Sequence, residues 1–298
     1  MVKYDAREIR ALYDRGENIT RWIQSREGTD RNSITAILYS YDAQAGSYID
    51  SLKDPAALAL KENLGRDLGA LLDKLAPHSL LEAGIGEGTS LAPVLTHMNR
   101  RPVHVLGFDL SLSRLLFAQR YLAENGFGNV KLFTGDLDRI PLATDSVDIV
   151  LTIHAVEPNH GREEAILSEL LRVARKHLVM IEPSYELASD EARARMDRLG
   201  YVRGLPATLN GLGHPPHLVE QWRHNPNPLN QAALIVVNKD ASDSSGVPRF
   251  VSPVSGHELV ERKDCLFCRE DGHAYPIIAG IPCLTAENAV LASKLDQF

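Results

Sequence analysis

The sequence predicts an α/β fold: a seven-stranded, mostly parallel sheet behind an N-terminal helical cap, with a small, mainly-β domain at the C-terminal end. Three observations carry that expectation. From residue 79 onward short apolar runs alternate with helical stripes, as in a parallel sheet covered on both faces. The run Leu80-Leu81-Glu82-Ala83 breaks into Gly84-Ile85-Gly86-Glu87-Gly88, where backbone without Cβ atoms can pass close to a ligand. Polar residues then close the successive strands, where ligands sit on such sheets.

Residues 1–76 read as helices: Ile9, Leu12 and Tyr13, then Ile19, Trp22 and Ile23, recur at helical spacing. A second stripe covers residues 34–41, and Gly46 interrupts or bends the chain beyond it. The third helix has Asp54 as its cap and Pro55 at its first position. Its buried stripe is Leu58, Leu64, Leu68, Leu71, Leu72 and Leu75, and Pro77 stops it. Strands are expected at 79–83, 103–109, 130–134, 147–154 and 177–182, with helices at 91–98, 112–125 and 163–174. A helix at 190–199 lies in a long interval, 184–230, before the last strand. A hairpin of 219–224 and 232–238, turning at Asn225-Pro226-Asn227-Pro228, closes the sheet. The polar stretch 239–247 reads as a linker. The expected domains are thus 1–76, 77–240 and 248–298.

Bulk properties narrow the function. The 298 residues are 44% hydrophobic and 24% charged, with net charge −7 and pI near 5.9. Clusters of Lys and Arg, on which nucleic-acid binding rests, are small, as at Arg100-Arg101 and at Arg193, Arg195 and Arg198 among acids. A nucleic-acid partner is therefore not expected. No apolar run reaches the ~20 residues of a membrane helix, and the charged N-terminus lacks a signal-peptide core. Three cysteines, all after residue 264, suggest no disulfide framework, so the cytoplasm is the expected compartment.

Glu82 ends the first strand, Asp109 the second, Asp136 follows the third and His154 ends the fourth. A carboxylate closing the second strand can accept both hydroxyls of a ribose, and Asp136 can accept from an exocyclic amine. The glycine spacing departs from the dinucleotide fingerprint, because Thr89 stands three residues after Gly86. Glu82, two residues before Gly84, would repel a pyrophosphate and suits a cation.

These residues resemble the class I S-adenosylmethionine-dependent methyltransferases, whose fold is Rossmann-like. Glu82-Ala83-Gly84-Ile85-Gly86-Glu87-Gly88 resembles that superfamily's first motif and Phe108-Asp109-Leu110-Ser111 its ribose-binding second. Gly135-Asp136-Leu137, with Ile140-Pro141-Leu142 and residues 145–150, resembles the adenine loop and fourth strand. Residues 167–173 and 178–183 resemble the next helix and strand of that fold. The resemblance implies S-adenosyl-L-methionine as cofactor, with Glu82, Gly84 and Gly86 at its methionine part. Asp109 and Leu110 would hold the ribose, Asp136 and Leu137 the adenine, and the His154 backbone would lie below. Tyr48 or Tyr41 would cover it.

Methyl transfer to a hydroxyl needs positioning and a base. His154, His160 and Glu157 are the catalytic candidates; Tyr185, His214, His217 and Trp222 are pocket candidates. No Asn/Asp-Pro-Pro-Tyr signature of base and amide methylation is present. The expected acceptor is a small molecule of a biosynthetic pathway, a sugar or sugar nucleotide, methylated on oxygen or nitrogen. The alternatives are a tRNA, rRNA or translation-protein methyltransferase, and a non-catalytic cofactor-binding subunit.

Residues 251–256 and 274–282 resemble a small zinc-ribbon-like domain known from the activator subunit of tRNA and release-factor methyltransferases. Ser252 and Ser255 stand where that family has cysteines, so the full zinc site is not expected. Cys265 and Cys268, with His257 or His273, are the residues that could improvise one. A homodimer contact is expected through the C-terminal or the N-terminal region.

Overall fold

The computed structural model describes residues 3–225, 227–240 and 247–297. The cap comprises α1 (Ala6–Asp14), α2 (Ile19–Glu27), α3 (Ile34–Ala43), α4 (Ser47–Ser51) and α5 (Pro55–Leu75). Gly46, at φ 98°, breaks α3 from α4, a conformation that needs no Cβ. Asp54 caps α5 by accepting from the Ala56 N–H, and Pro55 starts it. Of the expected stripe Leu64, Leu68 and Leu72 are buried, but Leu58 is 44% exposed, because it lies ahead of the segment that packs on the sheet domain. Two glycines in that segment set its depth. A Cβ on Gly65 would lie 2.6 Å from Pro93, so α5 rests against the backbone of α6 (Leu91–His97).

The strands of the large sheet are β1 (Ser79–Ala83), β2 (His104–Asp109), β3 (Lys131–Thr134), β4 (Val147–Ile153), β5 (Ala174–Pro183), β6 (Leu218–Gln221) and β7 (Ala232–Asn238). They lie in the order β3-β2-β1-β4-β5-β7-β6 with β7 antiparallel to both neighbours, so the seven-stranded, mostly parallel sheet stands as expected. The crossovers carry α6, α7 (Leu112–Glu124) and α8 (Glu163–Val173); α9 (Asp190–Leu199) and α10 (Leu205–Gly211) lie between β5 and β6. The sequence pattern predicts the fifth strand at 177–182, but β5 begins at Ala174, directly after α8. No turn residue separates them, and Ala174 already pairs with Val147. The short helix α10 has no counterpart in the sequence reading.

Strand alternation divides the core. Leu81, Phe108, Val150, Met180 and Ile235 face one layer, and Leu80, Val105, Leu151, Ile181 and Leu234 the other. The second layer takes α5, α6 and α7. The first takes α8 and α10, and also side chains from the C-terminal segment: Leu259, Leu266, Tyr275 and Leu284.

That segment is a small antiparallel sheet of β8 (Val260–Glu261), β9 (Cys265–Phe267), β10 (His273–Ile278), β11 (Ile281–Pro282) and β12 (Val290–Leu291). It meets the large sheet beside β3: the Leu284 N–H donates to Thr134 O at 3.2 Å and the Val251 N–H to Pro141 O at 3.1 Å. The Phe250 ring packs edge-on against Phe133 at 5.1 Å. Ser252 and Ser255 hydroxyls both donate to Asp271 Oδ2 at 2.6 Å, and Ser252 also meets the Tyr275 hydroxyl at 2.9 Å. Cys268 Sγ lies 3.8 Å from the Ser255 hydroxyl, and Cys265 lies on β9. Among the described residues no group of three or more His, Cys, Asp or Glu side chains is placed to hold a metal ion. Of the expected linker 239–247, residues 241–246 lie outside the described residues, as does Pro226 of the hairpin turn. Among the described residues no helix is long and apolar enough to cross a membrane.

Candidate active site

The loop after β1 folds back because the Gly84 and Ile85 N–H groups both donate to Phe108 O, at 2.8 and 2.9 Å. It is glycine for two reasons. Gly84 and Gly86 have φ of 74° and 57°, in the left-handed region. A Cβ on Gly84 would also lie 2.4 Å from that of Ala155, and one on Gly86 2.5 Å from the Arg114 guanidinium. Asp109, closing β2, accepts from the Gly86 N–H on one oxygen and the Ser111 N–H on the other, both at 3.0 Å. Backbone donors thus fix this carboxylate before any ligand arrives.

Two arms of one depression open at the C-terminal strand ends. Asp109, Leu110, Asp136 and Leu137 line the first; Glu82, Gly86, Tyr48 and Glu157 line the second. Gly84, Tyr41, Arg114 and His154 line both. Asp136 is held by Arg162, whose Nη2 donates to its Oδ1 at 3.1 Å and to Asp138 Oδ2 at 2.5 Å. Burial raises the Asp136 pKa, with the Arg162 charge opposing.

Glu82 is buried, and its Oε2 has no hydrogen-bond partner among the described residues. Burial pushes its pKa up to about 8, against the pull of the Lys61 charge. A buried acceptor of this kind fits a cationic group placed beside it.

His154 follows β4 with φ 54°, rare for a non-glycine residue and frequent at functional turns. Two contacts hold the turn. The Ala155 and Val156 N–H groups donate to the two oxygens of Glu182, at 3.0 and 3.2 Å, while Ala155 abuts Gly84. Burial pushes the Glu182 pKa up to about 7. His154 Nδ1 lies 2.9 Å from Glu157 Oε2. Burial presses the imidazole toward neutrality, but the hydrogen bond and charge of Glu157 outweigh it and the His154 pKa is raised. Burial and then the charge of Glu157 raise the Tyr201 pKa, and the Asn230 amide reaches Glu157 Oε2 at 3.5 Å.

The cap closes over this floor. Glu87 accepts from the Gly46 N–H at 3.0 Å and the Ile49 N–H at 2.8 Å, fastening the α3–α4 turn to the glycine loop. Arg114 then lies beneath two rings, 5.2 Å from the Tyr41 centroid and 4.6 Å from that of Tyr48.

Residues 80–177, which supply this floor, match the model of a family described as a methyltransferase domain. That stretch of the chain is similar to a methyltransferase domain. A curated relative, malonyl-[acyl-carrier protein] O-methyltransferase of Methylovorus sp. (strain MP688), is 32% identical over 139 residues. The match covers 46% of this chain and 45% of that protein, so the chain spans less than half the length of the relative. Among solved structures it is similar to magnesium protoporphyrin IX methyltransferase from Synechocystis PCC 6803 with bound SAH, at 15% identity and a TM-score of 0.48, covering 62% of this chain and 85% of that one. A SAM-dependent methyltransferase from Aquifex aeolicus is similar at 19% identity and a TM-score of 0.45, covering 64% and 97%.

The cofactor of such a methyltransferase domain is S-adenosylmethionine, and the residues present fit it. The orphaned Glu82 oxygen accepts a cation, the Gly84–Gly86 cradle leaves no room for Cβ atoms, and Asp109 is set in place by the loop's own N–H groups. Of the sequence candidates, Glu82, Gly84, Gly86, Asp109, Leu110, Asp136, Leu137, His154, Glu157 and both Tyr41 and Tyr48 line the depression. His160 does not join them: it is bound to Glu163 at 2.9 Å, at the start of α8. Trp222 is buried in the second core layer, Tyr185 lies against Arg203, and His217 is exposed. Sequence reasoning missed Lys61, Glu87, Arg114, Glu182, Tyr201 and Asn230. Only Glu182, an acid ending an apolar strand, left a local signal.

Proposed function

We propose that the chain transfers a methyl group from S-adenosylmethionine to a hydroxyl oxygen of a polar small molecule, with a sugar or sugar nucleotide as the acceptor class. The observation that carries this reading is the His154–Glu157 pair, 2.9 Å apart at the end of β4 in the depression that holds the glycine loop. Bound, the cofactor supplies an electrophilic methyl group on a sulfonium. His154 would take the acceptor's hydroxyl proton as that oxygen receives the methyl group. Glu157 stabilises the imidazolium that results, and the Asn230 amide keeps Glu157 aimed.

The curated relative acts on malonyl-[acyl-carrier protein]. A carboxylate acceptor is a second reading, but it has no proton to lose and leaves the dyad without a task. The net charge of −7 argues against a nucleic-acid acceptor. The polar acceptor class is supported by Asn225, Asn227 and Asn230 along the second arm.

The test is extract methylation with isotopically labelled cofactor, followed by mass spectrometry of small-molecule and macromolecular fractions. Label is expected on a small-molecule hydroxyl, in a His154-dependent manner. Label on RNA or protein alone would refute the reading, as would a carboxyl ester formed equally well by His154→Ala.

A further inference from the structure

A second recess lies beside the first arm, between the cap helices α2 and α3 and the end of α9, and Arg21, Gln44, Arg198 and Tyr201 are among its lining residues. Asn32 joins its walls. The amide nitrogen donates to Pro158 O at 2.9 Å and to Leu199 O at 3.0 Å, and the amide oxygen accepts from Gln24 Nε2 at 2.9 Å. Gly200 ends α9 at φ 67°, and a Cβ there would lie 3.0 Å from the Asn32 nitrogen, so the helix end sits close on the segment between α2 and α3. The recess is continuous with the candidate active site. Ile37, Tyr41 and Pro158 line both it and the first arm, and the Val202 N–H, next to Tyr201, donates to Glu157 O at 2.9 Å.

Its charge is unlike that of the chain as a whole. The sequence carries 39 acids against 32 Lys and Arg, yet among the described residues two arginines and no Asp or Glu line the recess. Both arginines are exposed, and neither guanidinium has a hydrogen bond, ion pair or ring contact among the described residues. Other arginines of α9 are engaged: Arg193 donates to Asp190, and Arg195 to Leu229 O and the Asn230 side chain. Two unpaired guanidiniums at one acid-free recess repel each other and attract an anion between them. Arg21 also sits in the first turn of α2, where the helix dipole adds positive potential. We propose that this recess holds a phosphate group of the acceptor, gripped by Arg21 and Arg198, while the sugar part extends past Tyr41 toward His154. The proposal rests on the methyl-transfer reading above and narrows its acceptor to a sugar phosphate or sugar nucleotide. A phosphate is favoured over a carboxylate because its oxygens can engage both guanidinium forks at once.

The experiment compares the full chain with Arg21→Gln, Arg198→Gln and the double variant. S-adenosylhomocysteine affinity, expected to stay within about twofold, reports an intact fold in each. Labelled cofactor is supplied with the small-molecule fraction of an extract, either untreated or digested beforehand with phosphodiesterase and alkaline phosphatase. Label is expected in the untreated fraction, reduced about tenfold by each single variant and about a hundredfold or more by the double one. Digestion is expected to remove it from the unaltered chain's products. In a separate titration of the chain saturated with S-adenosylhomocysteine, inorganic pyrophosphate is expected to bind, and the double variant to weaken that binding at least about tenfold. Label that survives digestion would overturn the proposal and point to a free sugar or a carboxylate. Label or pyrophosphate affinity unchanged in the variants would overturn it as well. If the unaltered chain labelled no small molecule in either fraction, the methyl-transfer reading itself would fall and take the acceptor role of the recess with it, a result distinct from label that ignores phosphate or the arginines.

Discussion

On the proposed reading, Glu157 sets the pH at which His154 acts as a base. Its hydrogen bond at 2.9 Å and its charge raise the imidazole pKa above the ordinary 6.5. A base works deprotonated, so kcat/KM is expected to rise with pH through a limb above 6.5. In Glu157→Gln the charge is gone, and the limb is expected to move to lower pH while the plateau falls roughly tenfold or more. His154→Ala is expected to lose roughly a hundred- to ten-thousand-fold. A pH–rate profile that Glu157→Gln left in place would assign the proton transfer elsewhere. The placement of Gly84, Asp109 and His154 at the depression was legible because each marks a strand end, and strand ends can be read from apolar runs. His160 shares the loop with His154 but not its direction, since it is turned away to Glu163.

At the scale of elements the site depends on the fastening of cap to sheet. The α3–α4 turn places Tyr41 and Tyr48 over Arg114, and two N–H bonds to Glu87 hold that turn. Removing the acceptor in Glu87→Ala leaves both donors without it, and the lid is expected to open. S-adenosylhomocysteine affinity is expected to drop roughly tenfold or more, chiefly through faster dissociation, measurable by stopped-flow. Unchanged dissociation would show that the cap takes no part in holding the ligand. This arrangement was invisible in the sequence. Glu87 stands inside the glycine run, and neither Lys61 nor Arg114 belongs to a strand end or a glycine loop. Each owes its role to a neighbour distant in the chain: Gly46, Ser90 and Tyr48. Periodicity reports which face is buried, and it cannot name the partner on the other side.

For the molecule as a whole, two carboxyls inside the sheet domain couple stability to pH. Glu82 and Glu182 have pKa values raised by burial to about 8 and about 7, from an ordinary 4.5. Between those limits the folded chain binds more protons than the unfolded one, so stability falls as pH rises. The stabilising contribution is complete below 4.5, declines through about 7 and about 8, and changes no further above. Denaturant unfolding across that range is expected to show the decline, and Glu182→Gln to flatten it. A stability that rose over the same window would contradict the burial account. The mostly parallel sheet was written in the alternation of strands and helices from residue 79. The C-terminal segment was harder, because Leu259, Leu266, Tyr275 and Leu284 complete a core layer begun by Leu81 and Phe108, and such sharing leaves no periodic mark.

The central claim is that the glycine loop and the strand-end acids bind S-adenosylmethionine. Calorimetric titration with S-adenosylhomocysteine, its demethylated product, tests it most directly. The unaltered chain is expected to bind one equivalent saturably, and Asp109→Ala, which removes the proposed acceptor for the ribose hydroxyls, to bind at least about a hundredfold more weakly. No binding by the unaltered chain, or binding undiminished in Asp109→Ala, would contradict the account.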